Sequence, residues 1–220
     1  HRHGWDLTFS APKSVSLAAL VGGDERLIQG HDHAVREVLG WLEDHAILTR
    51  SRENGIVAEK DGQGMVAAVF RHDLSRAGEP QLHSHAVVMN ATLTNDDTWR
   101  SLHSIHLYKL GKEAGERYQQ ELARHAAELG YTIVPSRNGT FELDGIPREL
   151  ALAFSSRAKA VEEKLAEQGL TRATATGEQR EDADGNEESM RAHGPNHGLV
   201  MPHVRATPAN RPARRAARAR

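Results

Sequence analysis

The chain has 220 residues, which is room for one domain of average size with additional segments. It contains no cysteine, so disulfides and thiolate metal sites are excluded, and histidine and carboxylate remain as the strong metal ligands. The formal net charge of −2 conceals an asymmetry: residues 189–220 carry seven arginines and no acid, whereas the rest of the chain carries a charge of −9. No stretch approaches the roughly 18 apolar residues of a membrane span, and no signal peptide opens the sequence, so we expect a cytoplasmic protein.

The first predicted elements are one short strand and two helices. Residues 5–9 alternate in polarity as a strand does, with Asp6 on the polar face. Ser10 is then a candidate N-cap for a helix that the pair Gly22-Gly23 ends. Residues 24–48 carry apolar side chains at helical spacing, which predicts a long amphipathic helix.

Three histidines fall where two neighbouring strands could direct them to one point. Residues 64–72 and 82–90 both have strand-like alternation, and the polar connection between them is short enough for an antiparallel return. His72 ends the first strand, while His83 and His85 share one face of the second. A single His-x-His in a strand is more often solvated than bound to a metal, and the third histidine favours the metal. Three imidazoles on one side of a sheet form a three-ligand metal site with open positions.

The remaining histidines show no comparable pattern. His31 and His33 lie two residues apart on one predicted helix, so their side chains point in different directions and cannot share an ion. The other histidines without a partner pattern are His1, His3, His45, His103, His106, His125, His193, His197 and His203. The sequence therefore predicts a single metal cluster.

The second half of the chain continues the alternation of strands and helices. The further predicted elements are strands at 55–60 and 99–102, a helix over 104–129, a hairpin over 131–143 that turns at Asn138-Gly139, and a helix over 147–169. The fold class predicted is α+β, an antiparallel sheet with helices packed on one side.

Apolar periodicity ends near residue 170. We therefore predict a domain over 1–170 and a low-complexity tail over 171–220, acidic and then arginine-rich, that is disordered because it cannot bury a core. The basic end of the tail could bind nucleic acid as a flexible arm. The alternative is an unselected reading frame with no role of its own.

Two motifs, GWDLTFSAPKSVSL at 4–17 and FRHDLSRAGEPQLHSHAVVMN at 70–90, together resemble the conjugative relaxases of the TrwC/TraI (MobF) type, members of the HUH endonuclease superfamily. The resemblance continues through WRSLH, YQQELARHAAELGY and NGTFELDGI and covers roughly residues 4–170. It implies a palm-like fold whose central antiparallel sheet has the histidine strands in the middle. It also implies nicking of one DNA strand at a plasmid transfer origin, with the 5′ phosphate retained on a tyrosine.

The same resemblance implies the roles of the site residues. His72, His83 and His85 match the metal triad, which would hold one divalent ion, Mg, Mn, Zn or Ni, as a Lewis acid on the scissile phosphate. Asp6 matches the acidic residue beside the metal, and would take the tyrosine proton or orient a histidine ligand. The implied partners are single-stranded DNA at the transfer origin and the conjugation machinery, with no membrane insertion.

Three basic residues are candidate DNA contacts. Lys13 lies at the start of the first predicted helix, where it could meet a phosphate. Arg71 and Arg76 lie beside the histidines in the sequence. For each of the three, a solvated surface position is the alternative.

One departure from the family concerns the nucleophile. The family's nucleophilic tyrosines lie upstream of the strand that holds Asp6, and only five residues precede Asp6 here. Tyr108, Tyr118 and Tyr131 match family positions that are not nucleophilic. We therefore expect a fragment that carries the metal half of the site, lacks the nucleophile and the first strand, and is inactive alone. The alternatives are a non-catalytic remnant that binds single-stranded DNA and an unrelated metal hydrolase.

Overall fold

The computed structural model describes residues 2–53, 55–136, 139–171, 174–176 and 200–203. The elements in chain order are β1 (Gly4–Ser10), α1 (Lys13–Leu20), α2 (Glu25–Ala46), β2 (Leu48–Glu53), β3 (Ile56–Asp61), β4 (Ala67–Leu74), β5 (Pro80–Met89), β6 (Thr92–Leu93), β7 (Trp99–Arg100), α3 (Ile105–Glu128), β8 (Ile133–Pro135), β9 (Phe141–Leu143), α4 (Arg148–Ala153), α5 (Ser156–Glu167) and β10 (Val200–His203). In the part of the chain that these ranges cover, no helix combines the length and the apolarity needed to cross a bilayer.

The main sheet has four strands in the order β1-β5-β4-β10, and every neighbouring pair is antiparallel. The two histidine strands, β4 and β5, therefore lie at its centre, and the predicted α+β class is confirmed. The hairpins β2–β3, β6–β7 and β8–β9 each form a separate two-stranded sheet.

The two faces of β5 have different surroundings. Leu82, Ser84, Ala86 and Val88 are buried on the face toward the helices, where they join the core formed mainly by α2 and α3. The alternate residues, among them His83, lie on the opposite and more open face. The period-two alternation of a strand thus separates a packed face from a face on which chemistry can take place.

Strand β2 is an element that the sequence pattern missed, because its inward residues are polar. Thr49 and Ser51 are buried at 0% and 6% exposure, so the apolar alternation that indicates a strand is absent. β2 nevertheless pairs with β3 over its whole length. An isolated bridge between Thr49 and Leu102 joins the hairpin to the segment before α3.

The predicted cap of the first helix is wrong. Ser10 is the last residue of β1, and α1 begins at Lys13 without a side-chain cap from the preceding residue. The acceptor comes instead from β9, where Glu142 Oε2 accepts from the backbone N–H of Ser14 at 3.1 Å and also from its hydroxyl. A contact across 128 residues replaces the local cap that the sequence suggested.

The predicted single helix over 147–169 is two helices. α4 ends at Ala153 and α5 begins at Ser156, with a break at Phe154 and Ser155. The predicted hairpin over 131–143 is confirmed as β8–β9, although Asn138 of its turn lies outside the described residues.

Two stretches of the predicted tail have a described structure. Ala175 is buried against Val161 and Leu165 of α5. Strand β10 pairs with β4, with Val200 opposite Phe70. This stretch differs from the expected disorder because the unpaired backbone groups along the edge of β4 can bind a further strand. Residues 177–199 and 204–220 lie outside the described residues, so for them the predicted tail stays a prediction.

Candidate functional site

The three predicted histidines come together on the open face of the central sheet. His72 of β4 lies directly opposite His83 of β5, and His85 follows two residues later on the same face. The ring centroids of His72 and His83 are 5.2 Å apart, those of His72 and His85 5.4 Å, and those of His83 and His85 5.3 Å. The three distances are nearly equal, so the ring centroids form an almost equilateral triangle.

Hydrogen bonds at Nδ1 orient two of these rings. His83 Nδ1 donates to the carbonyl oxygen of Gln81 at 2.8 Å, and His85 Nδ1 donates to Asp6 Oδ2 at 2.8 Å. Both oxygens only accept, so Nδ1 carries the proton in each ring and the neutral ring has its lone pair at Nε2. Burial is the main cause that lowers the pKa of His83, which favours the neutral imidazole that a metal needs. The arrangement suits a divalent metal ion.

Asp6 reaches the triad from the neighbouring strand β1. It is paired with Val87 in the β1–β5 register, and its side chain is 41% exposed. Thr8, two residues later on the same face, lies opposite His85 with its hydroxyl oxygen 3.3 Å from His85 Nδ1. A cavity of about 410 Å³ between β1 and α3 opens beside these side chains and is lined by Asp6, Thr8, Gly111 and Tyr118 among others.

A buried polar network lies behind the triad, on the other face of β5. His31 of α2 is fully buried, with Nε2 2.7 Å from Ser84 Oγ and Nδ1 2.7 Å from Tyr118 Oη. Burial is the main cause that lowers the pKa of His31 to about 3, and burial also raises the pKa of Tyr118. The neutral ring therefore links α2, β5 and α3 beneath the site.

The position of His31 in the sequence points to this buried network. His31 falls in the apolar stripe of α2, where a polar side chain has to find a buried partner. The partners Ser84 and Tyr118 lie 53 and 87 residues away, so periodicity along the helix could not identify them.

The three candidate DNA contacts differ in their surroundings. Lys13 Nζ donates to the carbonyl oxygen of Pro80 at 2.7 Å, and burial is the main cause that lowers its pKa. Arg71 Nη1 lies 2.6 Å from Asp32 Oδ2 of α2, so this arginine already has an intramolecular anion. Arg76 is exposed in the turn between β4 and β5. The structure brings Arg71 and Arg76 to the same end of the hairpin as His72.

The three tyrosines also have distinct environments. Tyr118 is buried against His31, and Tyr131 donates from Oη to Asp24 Oδ2 at 2.8 Å. Burial first, and then the bond to Asp24, raises the pKa of Tyr131. Tyr108 is 59% exposed on α3, with Arg2 against its hydroxyl.

The fold and the site together define an α+β domain with three convergent histidines at the centre of an antiparallel sheet. The family model described as TrwC relaxase matches residues 1–216. The chain belongs to the TrwC relaxase family, as the sequence motifs indicated.

Two curated relatives are similar to the chain over the same stretch. The multifunctional conjugation protein TraI of Escherichia coli is 42% identical over 177 residues, and that of Escherichia coli strain K12 is 41% identical over 177 residues. Each alignment covers 76% of this chain and 10% of the relative, so the chain spans about a tenth of the length of the curated relatives it matches.

Solved structures of the conjugative relaxase TrwC are similar in fold. A metal-free complex with OriT DNA is 39% identical, with a TM-score of 0.76, and covers 84% of this chain and 65% of that chain. A copper-bound complex with OriT DNA is 39% identical, with a TM-score of 0.77, and the match covers 84% of this chain and 63% of that one. A complex with a 27-mer DNA that comprises the recognition hairpin and the cleavage site is 37% identical, with a TM-score of 0.76. This match covers 87% of this chain and 68% of that one.

Proposed function

We propose that this chain is the part of a conjugative DNA relaxase that binds single-stranded DNA at a plasmid transfer origin and holds the scissile phosphate at a divalent metal ion. The observation that carries the proposal is the convergence of His72, His83 and His85 on the open face of the central sheet, with Asp6 bonded to His85. The family relatives solved with OriT DNA and with metal support both parts of it. The further partner is the conjugation machinery, met in the cytoplasm where the plasmid lies.

Each residue of the site has a defined part in this chemistry. The three histidines hold the ion, and imidazole ligands favour Zn or Ni over the harder Mg among the candidate ions Mg, Mn, Zn and Ni. The bound ion would neutralise charge on a phosphate oxygen as the attacking oxygen adds. Asp6 keeps His85 in the tautomer that can bind the ion, and its exposed carboxylate can accept the proton of the attacking hydroxyl.

The reaction is a transesterification that needs a tyrosine hydroxyl. The tyrosine oxygen bonds to phosphorus, the 3′ oxygen leaves and takes a proton, and the 5′ phosphate stays on the tyrosine. Tyr118 and Tyr131 have their hydroxyl groups engaged in intramolecular bonds. Because these two hydroxyl groups are already bonded, they support a second candidate function for this chain. That function is binding of single-stranded DNA without cleavage.

A labelled oligonucleotide from the transfer origin tests the proposal. The chain should bind it more tightly than a scrambled oligonucleotide of the same composition, with an affinity that falls as salt rises, since phosphate contacts release counterions. Equal affinity for the two oligonucleotides would contradict recognition of an origin. With Mg or Mn present, we expect no covalent adduct from these 220 residues. An adduct that Tyr108→Phe abolishes would show that the nucleophile is Tyr108.

Calorimetry with zinc tests the metal part. His83→Ala should remove the ion of the triad, because two imidazoles in place of three lose a direct ligand. His33→Ala is the matched control, since His33 lies on α2 away from the triad and its side chain is 43% exposed. Equal zinc binding by the wild type and His83→Ala would contradict the metal assignment.

A further inference from the structure

A second group of potential metal ligands lies outside the histidine triad. Glu59 of β3 faces two histidines, His103 just before α3 and His106 in its first turn. Glu59 Oε1 is 2.7 Å from His103 Nδ1 and 2.8 Å from His106 Nε2, and the two ring centroids are 5.2 Å apart. Both imidazole nitrogens therefore contact the same carboxylate oxygen, and the three potential ligand atoms lie within 4.8 Å of one another.

The backbone holds this group in place. His103 N donates to the carbonyl oxygen of Leu48 at 2.7 Å, directly after the bridge between Thr49 and Leu102. Pairing of β2 with β3 then sets the position of Glu59 relative to His103. The ligand atoms thus come from two elements that backbone bonds already fix, which keeps the entropy cost of gathering them low.

The distances fit an ion after a small adjustment. Ligand atoms about 2.0–2.1 Å from a tetrahedral zinc lie roughly 3.3 Å from one another, so each oxygen-to-nitrogen distance would lengthen by about half an ångström. The side chains of His103, His106 and Glu59 are 22%, 17% and 38% exposed. All three side chains are thus partly exposed, so solvent can reach a fourth coordination position.

A plain ion pair explains the arrangement less well. A partly exposed pair of a carboxylate with a histidine contributes little stability. Ion pairing alone therefore gives no reason for two imidazoles to contact the same oxygen. Two histidines and one glutamate are, in contrast, a ligand set that occurs in zinc sites with one open position. The spacing His-x-x-His places one ligand before the helix and the other within its first turn, and the third comes from a strand.

We propose that Glu59, His103 and His106 bind a second divalent ion of the transition series, Zn, Ni, Co or Cu, separately from the histidine triad. The ion joins the β2–β3 hairpin to the start of α3, so its main effect is to stabilise that junction. The ligand set disfavours Mg and Ca, which prefer all-oxygen sites. This site shares no residue with the triad and stands whether or not the triad binds an ion.

Titration of zinc into the metal-free chain tests the proposal by stoichiometry. We expect two tight zinc ions per wild-type chain, one for Glu59→Gln, one for His83→Ala and none for the double variant. Glutamine keeps the size and a hydrogen-bonding oxygen of Glu59 but lacks its charge, so the fold should persist. His103→Asn is the second variant, and circular dichroism verifies that each protein is folded.

The matched control is Glu121→Gln. Glu121 Oε1 lies 3.4 Å from His33 Nε2 and is already paired with Arg124, so this variant should keep both ions. In the His83→Ala protein, zinc should raise the melting temperature and magnesium should not, and Glu59→Gln should abolish the rise. In that protein, Glu59→Gln should lower the zinc affinity of the second site by at least about 100-fold, because loss of a mere hydrogen-bond partner of a ligand already lowers metal affinity by about 10–100-fold.

The outcomes separate the two sites. If Glu59→Gln and His103→Asn bind as much zinc as the wild type, the second site does not exist, whatever the triad does. If Glu59→Gln loses an ion and His83→Ala loses none, the second site stands and the metal role of the triad fails. A single ion in the wild type that only His83→Ala removes would overturn the second site and leave the triad intact.

Discussion

Asp6 Oδ2 and His85 Nδ1 lie 2.8 Å apart although 79 residues separate them in the chain. The bond joins β1 to β5 and fixes both the tautomer and the plane of the imidazole. The hydroxyl oxygen of Thr8 lies 3.3 Å from the same Nδ1 of His85. Asp6 therefore holds the ring of His85 in place. Under the proposed function, we expect it to act as a positioning residue and as a proton acceptor.

Removal of this acid should weaken metal binding. Asp6→Ala is expected to lower the zinc affinity of the triad by about 10–100-fold, the usual effect of losing the partner of a ligating histidine. Asp6→Asn should lose less, because the amide oxygen still accepts from Nδ1. Calorimetry measures the change, and Asp144→Ala is the control, since that exposed carboxylate bonds only the N–H of the next residue, Gly145, among the contacts described. An unchanged affinity in Asp6→Ala would refute the positioning role.

Stability should depend on pH through His31. Burial lowers the pKa of this histidine to about 3 in the folded chain, against 6.5 in the unfolded one, so the neutral ring stabilises the fold fully above pH 6.5. That contribution is lost as the pH falls from 6.5 toward 3. Between pH 7 and pH 5, the wild type should lose about 2 kcal/mol more free energy of unfolding than His31→Gln. Urea titrations at the two pH values measure it, and parallel losses would contradict the assignment.

Helices α2 and α3 approach closely at Gly30. A Cβ there would lie 2.3 Å from Cδ2 and 2.9 Å from Cγ of His125. Gly30→Ala should therefore destabilise the fold by about 1–3 kcal/mol, and His125→Ala in the same protein should recover part of the loss.

Gly40 of the same helix is the matched control for that substitution. A Cβ at Gly40 would meet nothing within 4 Å, so Gly40→Ala should stabilise by up to about 1 kcal/mol through helix propensity alone. Thermal denaturation compares the two variants. If both stabilise equally, the close approach of α2 and α3 at Gly30 is wrong.

Glu142 should stabilise the start of α1 from a distance. Glu142→Ala removes the acceptor for the N–H and the hydroxyl of Ser14, and we expect a loss of about 1–2 kcal/mol in unfolding experiments. Glu116→Ala removes an exposed carboxylate paired with Lys112 at 3.6 Å, and should change stability by less than about 0.5 kcal/mol. Similar effects of the two substitutions would argue against a capping role.

The cluster of three histidines could be predicted because its geometry is local. His72, His83 and His85 lie on two consecutive strands, and the period of two together with a short connection determines which side chains share a face. The long helices α2 and α3 could also be predicted, because each buries one apolar stripe along its length.

The features that escaped prediction depend on contacts between distant elements. β2 buries Thr49 and Ser51, so its inward face looks polar in the sequence. The partners of His31 come from β5 and α3, and Glu59 meets His103 from 44 residues away. Such pairings follow from packing of whole elements, which no pattern within a single element encodes.

The hairpin that carries the triad also has a consequence for the order in which the site forms. Five residues, 75–79, connect β4 to β5, so His72 and His83 can meet as soon as this short loop closes. Asp6 is synthesised before either strand but reaches His85 only after β1 docks across 79 residues. During synthesis on the ribosome the imidazoles are thus assembled by fast local closure, while the carboxylate that completes them waits for a slow long-range pairing.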